Sequence, residues 1–423
     1  MKICIFEDNL FGNLEPLSFS RPVFELVCGM NSLLEKFVRY FSAADITLIV
    51  RPELANLTKQ LHPKFKVNLL PSEEALFING RILSDDIFVN SLAFVSKKPR
   101  IFTNNGEVAA AYICGDLLKA IKANPNELFE LANSRKYEVM DIDATWINYP
   151  WDLLTHHNSE FLIDAKFYFL LNSKKSKSNI RGTVFDGVNF VNKENIFIAD
   201  GASVKPGTTL DASSGPIIIE KNAQVFPNSV IQGPVYIGEN SIVKSLSWIY
   251  ENVFVGKFCK VGGEIEHSII LPYSNKQHTG FLGHAYLGSW VNLGADTNCS
   301  DLKNNYSTVK VYINGKEVDT KSQFLGLIMG DHSKSSINSM FNTGTIVGFS
   351  CNIFGADFPP KYVPSFSWGG SGSLVEYDIN KSLATARIVM QRRNQDLNPD
   401  TAKLFSHIFE ITENERRKRG NSN

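Results

Sequence analysis

Between Ile217 and Val261 the apolar positions recur every six residues. Ile219, Val225, Ile231, Ile237, Val243, Ile249, Val255 and Val261 form an unbroken aliphatic series. Two positions before each sit Ile217, Ala223, Ser229, Val235, Ser241, Ser247, Val253 and Cys259, all small or β-branched. The phase extends upstream through Ile198, Val204 and Leu210, with a three-residue slip at Asp211–Ser214. Period six fits neither a 3.6-residue helix nor an alternating strand. It fits a coil of three short strands with one aliphatic residue per side turned inward, and such coils bury their interior only by stacking. The pattern therefore predicts a parallel β-helix.

Outside this run the chain changes character. Lys2–Phe6, Ile46–Val50 and Ala75–Leu83 read as buried strands, and Asn31–Phe41 and Gly106–Ala123 as helical stretches, which together predict a doubly wound α/β domain. The expected boundaries are 1–160 for that domain, 161–183 for a linker, 184–372 for the β-helix and 373–423 for a helical tail. The linker holds the polar stretch Asn172–Ile180, whose Lys174, Lys175 and Lys177 read as solvated charge. Within the β-helix the phase breaks over Gly262–His278, resumes at Phe281, Leu287 and Leu293, and returns after a second excursion at Met329, Ser335, Phe341, Val347 and Ile353. That excursion, Val309–Thr320, carries Asn314-Gly315 between alternating residues, the signature of a two-residue hairpin loop. In the tail, Ala384–Arg393 and Thr401–Arg417 are the expected helices.

Charge narrows the function classes. Lysine plus arginine equals aspartate plus glutamate at 43 each, so no global field draws the chain to nucleic acid or an anionic membrane, and an anionic ligand must be held locally. Cys4, Cys28, Cys114, Cys259, Cys299 and Cys351 show no metal-type spacing and read as free thiols in a reducing compartment. No apolar run reaches the roughly 18 residues of a membrane span, and Glu7-Asp8 follows the first strand at once, unlike a signal peptide. The expectation is a cytoplasmic protein.

Candidate chemistry gathers where the repeat lapses, in Ser274–Tyr306 (SNKQHTGFLGHAYLGSWVNLGADTNCSDLKNNY). Its HTGFLGHAYLGSWVNLGADT resembles the acetyltransferase half of the bifunctional N-acetylglucosamine-1-phosphate uridylyltransferases. That resemblance implies a left-handed β-helix, a homotrimer with acyl sites between neighbouring prisms, and acetyl-CoA as acyl donor. It places His278 on the catalytic base, Phe281 on a sugar-nucleotide tyrosine, Asn292 on an amide-bearing catalytic-site residue and Asp301 on a second asparagine. Imidazole titrates in the range a base for acyl transfer needs. The alternative is that His278 caps a loop and does no chemistry. His284 and His332 are weaker candidates. Phe281 and Asp301 depart from the family's residues, its sugar-phosphate arginine is absent from SWIYENVFVGKF, and Gly262-Gly263 stands where it places a lysine pair. Lys276 and Lys303 are the remaining candidates for holding a phosphate.

The amino-terminal part, with NLEPLSFSRPVFELVCG, LFINGR and INYPWDLL, resembles the GlmU-like sugar nucleotidyltransferases. In α/β sheets ligands sit at the carboxyl ends of strands, here the loops starting at Glu7-Asp8 and Asn79-Gly80-Arg81. The resemblance implies that Arg21 and Asn79 meet nucleotide and that Asp8 and Asp152 hold Mg²⁺. The family's glycine-rich loop is missing, and its carboxylate after the LFIN strand is replaced by Gly80-Arg81. Two readings follow: a sugar-nucleotide enzyme joining sugar 1-phosphate to nucleoside triphosphate and transferring an acyl group from CoA, or a noncatalytic sugar-nucleotide-binding or assembly protein with a degenerate first domain.

Overall fold

The structure is a computed structural model that describes residues 1–92, 98–124, 126–174 and 178–420. Lys175 and Lys177 of the expected basic linker lie outside the described residues. The chain divides into two compact units, the first made of Met1–Leu14, Ser20–Val27 and Asn31–Asp152, the second of Glu15–Phe19, Cys28–Met30 and Leu153–Asn423.

The first unit is built on a seven-stranded sheet of β1 (Lys2–Phe6), β2 (Asp45–Ile49), β3 (Lys66–Val67), β4 (Ala75–Asn79), β5 (Arg100–Asn104), β6 (Glu107–Ile113) and β7 (Glu138–Asp141), in the order β7-β5-β6-β4-β1-β2-β3. β6 runs antiparallel to both neighbours and the other pairings are parallel. The expected helix over Gly106–Ala123 is thus corrected: it covers only Gly115–Ala123, and EVAAAYI is strand. Asn105 and Gly106 take φ of 52° and 79°, the turn that folds β5 onto β6, and burial in the sheet overrides the helix propensity of three alanines. Helix α1 (Leu33–Tyr40) starts on a capping box in which Ser32 and Glu35 satisfy each other's backbone N–H.

In the second unit, short parallel strands stack into three long sheets, and the inward column from Ile198 to Val261 is fully buried. The coil length is legible in the register. Ile237 pairs with Val255 eighteen residues on, Val204 pairs with Val225 twenty-one on, where Asp211–Ser214 adds its three, and Val255 pairs with Ile270 only fifteen on. The coils therefore continue through Gly262–His278, shortened rather than interrupted. This shortening moves the phase, so Leu282, not Phe281, is the inward residue, stacked on Ile265. Corners in the left-handed backbone region are spaced by multiples of six residues, at Asn222, Asn228, Asn240, Leu246, Asn252 and Phe258. Bulky residues rarely accept that region, so stacking must hold them there. Phe258, Tyr273 and Trp290 do stack, with ring centroids 5.1 and 4.2 Å apart. Inward serines are satisfied: Ser241 Oγ donates to the Gly256 carbonyl and accepts from the Cys259 N–H.

Lys310–Ile313 and Lys316–Asp319 pair antiparallel, forming the expected hairpin. The segment expected as linker begins as helix instead. Helix α2 (His157–Ser173) packs Phe161 and Ala165 on Phe197 and Ile218, the outward residues of two coils. The last parallel strand, Ser367–Gly369, is covered by the antiparallel strand Leu374–Glu376. Helices α3 (Ile379–Gln391), α4 (Pro399–Ile411) and α5 (Glu413–Gly420) follow, so Thr401–Arg417 is two helices rather than one.

Candidate active sites

At the carboxyl ends of β1 and β4 the first unit assembles one buried network. Arg81 is fully buried, and its Nε and Nη2 donate to the two oxygens of Asp8 at 2.9 and 2.6 Å, Nη2 also reaching Glu107 and Nη1 reaching Asn148. Its guanidinium lies 4.7 Å from the Trp146 ring centroid. Asn79 Nδ2 donates to Asp8 at 2.8 Å, so two of the expected nucleotide and metal residues do meet. Asp152 does not join them as a ligand: from the first turn of the helix Pro150–Thr155 it accepts the backbone N–H groups of Asn148 and Tyr149. Magnesium does not fit these groups. A guanidinium already occupies Asp8, and among the described residues Asp8 and Asp152 belong to no cluster of metal-ligating side chains. Arg21 stands apart from the Asp8 network; its carbonyl accepts from Arg51. Arg51 pairs with buried Glu7 at 3.3 Å and, with Phe11, Asn68 and Phe129, lines a cavity of about 520 Å³ beside the ends of β1 and β2.

In the β-helix the expected acyl-transfer residues separate into three places. His278 is exposed on the loop after the strand Asn275–Lys276, and its ring has no hydrogen bond among the described residues. Lys276 is not at the surface. It replaces an inward aliphatic residue beneath Val261, and its Nζ donates to the carbonyls of Gly262, His278 and Thr279 at 3.0, 2.7 and 3.1 Å. Burial lowers its pKa to about 8. Gly263, at φ 74°, is needed because a Cβ there would stand 2.6 Å from the His278 carbonyl and 2.8 Å from Lys276 Nζ. The role of Lys276 as a phosphate ligand is therefore corrected to that of a pin for the His278 loop. Lys303 is likewise engaged, donating to the Thr308 carbonyl at 2.5 Å.

Asn292 lies in a second place, a cavity of about 310 Å³ lined by Lys260, Lys334, Arg392, Arg393, Asn275 and two aromatic corners, Tyr273 and Trp290. Among the described residues no carboxylate lines it. Burial, then Arg393 and Lys244, lowers the Lys260 pKa, and burial lowers that of Lys334 to about 8. Asn275 links the groups, accepting from Arg393 at 3.0 Å and donating to Asn292 at 3.3 Å. Neither Lys260, Lys334 nor the arginines of α3's end stood out in the sequence, because stacking brings together residues about one coil apart and helix α3 arrives from far downstream.

Phe281 and Asp301 define the third place. His284 Nδ1 is 2.8 Å from Asp301 Oδ2, and Glu266 completes a group whose ligand atoms all lie within 4.8 Å of one another. His267 and Phe324 stack on the two sides of His284, at 4.7 and 4.9 Å. The signal for this cluster was spacing: Glu266, His284 and Asp301 fall on consecutive coils at eighteen and seventeen residues. His332, by contrast, is packed between Trp290 and Phe405.

Residues 3–170 match the family model described as sugar nucleotidyl transferase. That stretch, about two fifths of the chain, is similar to the family. The similarity to relatives runs further than that domain. The chain is 25% identical to the bifunctional protein GlmU of Methanococcus vannielii over 85% of its own length and 74% of that protein's. It is 27% identical to the GlmU of Methanocaldococcus jannaschii over 60% and 50% of the two lengths. It is 30% identical to a bifunctional sugar-1-phosphate nucleotidylyltransferase/acetyltransferase of Sulfurisphaera tokodaii over 63% and 61%. The chain thus spans about half to three quarters of the length of these relatives. A nucleotidyl transferase domain followed by a hexapeptide β-helix is the layout the sequence implied, and among the described residues no helix is long and apolar enough to cross a membrane.

Proposed function

We propose that this chain acts in sugar-nucleotide metabolism and that its β-helix transfers an acyl group from a CoA thioester to a sugar amine or hydroxyl. The observation that carries this reading is the cavity at Lys260, Lys334, Arg392 and Arg393. Four cations without a carboxylate suit the phosphates of a nucleotide-type donor, and the Tyr273 and Trp290 rings offer a stacking face. Asn292, whose Oδ1 accepts from Asn275, keeps its Nδ2 for an acceptor oxygen or a developing oxyanion. His278, on its pinned loop, removes the acceptor's proton as the thioester carbon is attacked, and the thiolate leaves with a proton. A second reading of the base is favoured by Asp301, whose Oδ2 lies 2.8 Å from His284 Nδ1 and would hold that imidazole in orientation.

CoA release measured with a panel of amino-sugar acceptors separates the two. His278→Ala abolishes it if His278 is the base, and His284→Ala if the oriented imidazole is. Absence of CoA release from the wild-type chain with every acceptor would remove the acyl-transfer reading.

For the first unit we propose sugar-nucleotide binding, with Arg81 in the position where a metal-binding carboxylate was expected. Pyrophosphate release from nucleoside triphosphate and sugar 1-phosphate with Mg²⁺ would restore the nucleotidyltransferase reading. A homotrimer in a reducing compartment completes the proposal. It is supported by the resemblance to trimeric prisms and by free cysteines that are buried at all positions but Cys114. Sedimentation velocity at three times the chain mass is the expected result.

A further inference from the structure

The face of the β-helix that carries Phe281 is acidic where an anionic sugar would need cations. Glu266, His284 and Asp301 meet at one corner from three successive coils. The position is built for them. A Cβ on Gly283 would stand 2.4 Å from Asp301 Oδ2 and 2.5 Å from the Phe281 ring, so glycine is what leaves room for the carboxylate. Asp301 is buried and Glu266 half-buried. Among the described residues His284 is the ion-pairing partner of Asp301 alone, and the Glu266 carboxylate has neither an ion pair nor a hydrogen-bond donor. Two partly desolvated carboxylates beside one imidazole, which pairs with Asp301 only, leave negative charge uncompensated. The imidazole is fixed from both sides by the rings of His267 and Phe324, so its nitrogens cannot swing away. His267 adds a buried Nδ1 without a hydrogen-bond partner, while its Nε2 is held by Asn252 at 2.8 Å.

We propose that Glu266, His284 and Asp301 bind one divalent transition-metal ion. Two carboxylate oxygens and one imidazole nitrogen neutralise a dication, and this mixed donor set suits Zn²⁺, Co²⁺ or Mn²⁺ better than Mg²⁺ or Ca²⁺, which take oxygen alone. Three protein ligands leave positions open on the side of Phe281, where a water or a sugar hydroxyl reaches the ion. The site stands independently of acyl transfer. If it is filled, His284 is a ligand and not a free base.

The test uses the full-length chain stripped of metal and titrated with Co²⁺, followed by visible absorption, with Zn²⁺ as competitor by calorimetry. One equivalent per chain is expected to saturate. Glu266→Gln and Asp301→Asn each weaken binding at least about tenfold with the far-ultraviolet circular dichroism unchanged, and Glu239→Gln, an exposed carboxylate elsewhere, leaves it as it was. Zn²⁺ raises the unfolding temperature of the wild-type chain and not of Asp301→Asn. No saturable Co²⁺ binding, or binding equal in the wild type and both cluster variants, overturns the proposal.

Discussion

Lys276 shows how a single side chain changes meaning with its surroundings. In the sequence it is a basic residue near a candidate histidine. In the fold it is a buried ammonium beneath Val261 with three carbonyls around it. Its pKa falls from the model-peptide range to about 8, so between about pH 8 and 10.5 the unfolded chain binds more protons than the folded one. Stability should therefore rise with pH across that window, by up to about 3 kcal/mol from this group. Lys276→Met removes that rise, and urea midpoints at pH 7.5 and 10 for both proteins measure the difference. Gly263→Ala is expected to cost about 1–3 kcal/mol, since its Cβ meets the His278 carbonyl at 2.6 Å in a left-handed backbone region that is strained for alanine. Neither role was legible beforehand. The fifteen-residue coil shifts the phase by three, and without that shift Lys276 cannot be assigned to the inside nor Phe281 to the outside.

At the scale of elements, the coils were the most legible part, because every inward position from Ile219 to Val261 obeys one period and each is fully buried. Truncating one of them tests the stacking directly. Ile249→Ala should destabilise the β-helix by about 2–5 kcal/mol, read as a shift in chemical unfolding of that unit. The strand β6 was misread because alanine is a weak strand signal and one of its two partner strands, β4, lies well upstream in sequence. The Asn105-Gly106 turn was the available sign, of the same kind as the Asn314-Gly315 pair that correctly foretold the second hairpin. The candidate clusters were legible only as coil-length spacings, such as Glu266 to His284 to Asp301. The basic cavity was not legible at all, since Arg392 and Arg393 come from the end of α3.

Among the described residues one core gathers around Phe6, Phe77 and Ile101 and another runs down the coils from Ile196 to Val363. Substitutions in one should move one unfolding event and leave the other in place. Arg81→Met offers the sharpest case: it strands Asp8 and Glu107 without their counter-charge, and differential scanning calorimetry should show the α/β transition lowered by about 3 kcal/mol with the β-helix transition unmoved. The far end of the prism holds a different consequence. A stack of parallel strands finishes in a row of unanswered backbone amides and carbonyls, a template onto which another polypeptide can crystallise in one dimension. Here Leu374–Glu376 doubles back across Ser367–Gly369 and closes that template on one of the three sides with the chain's own backbone. A version ending at Gly372 would be sticky at its tip, and light scattering should find it growing into fibres while the intact protein stays dispersed.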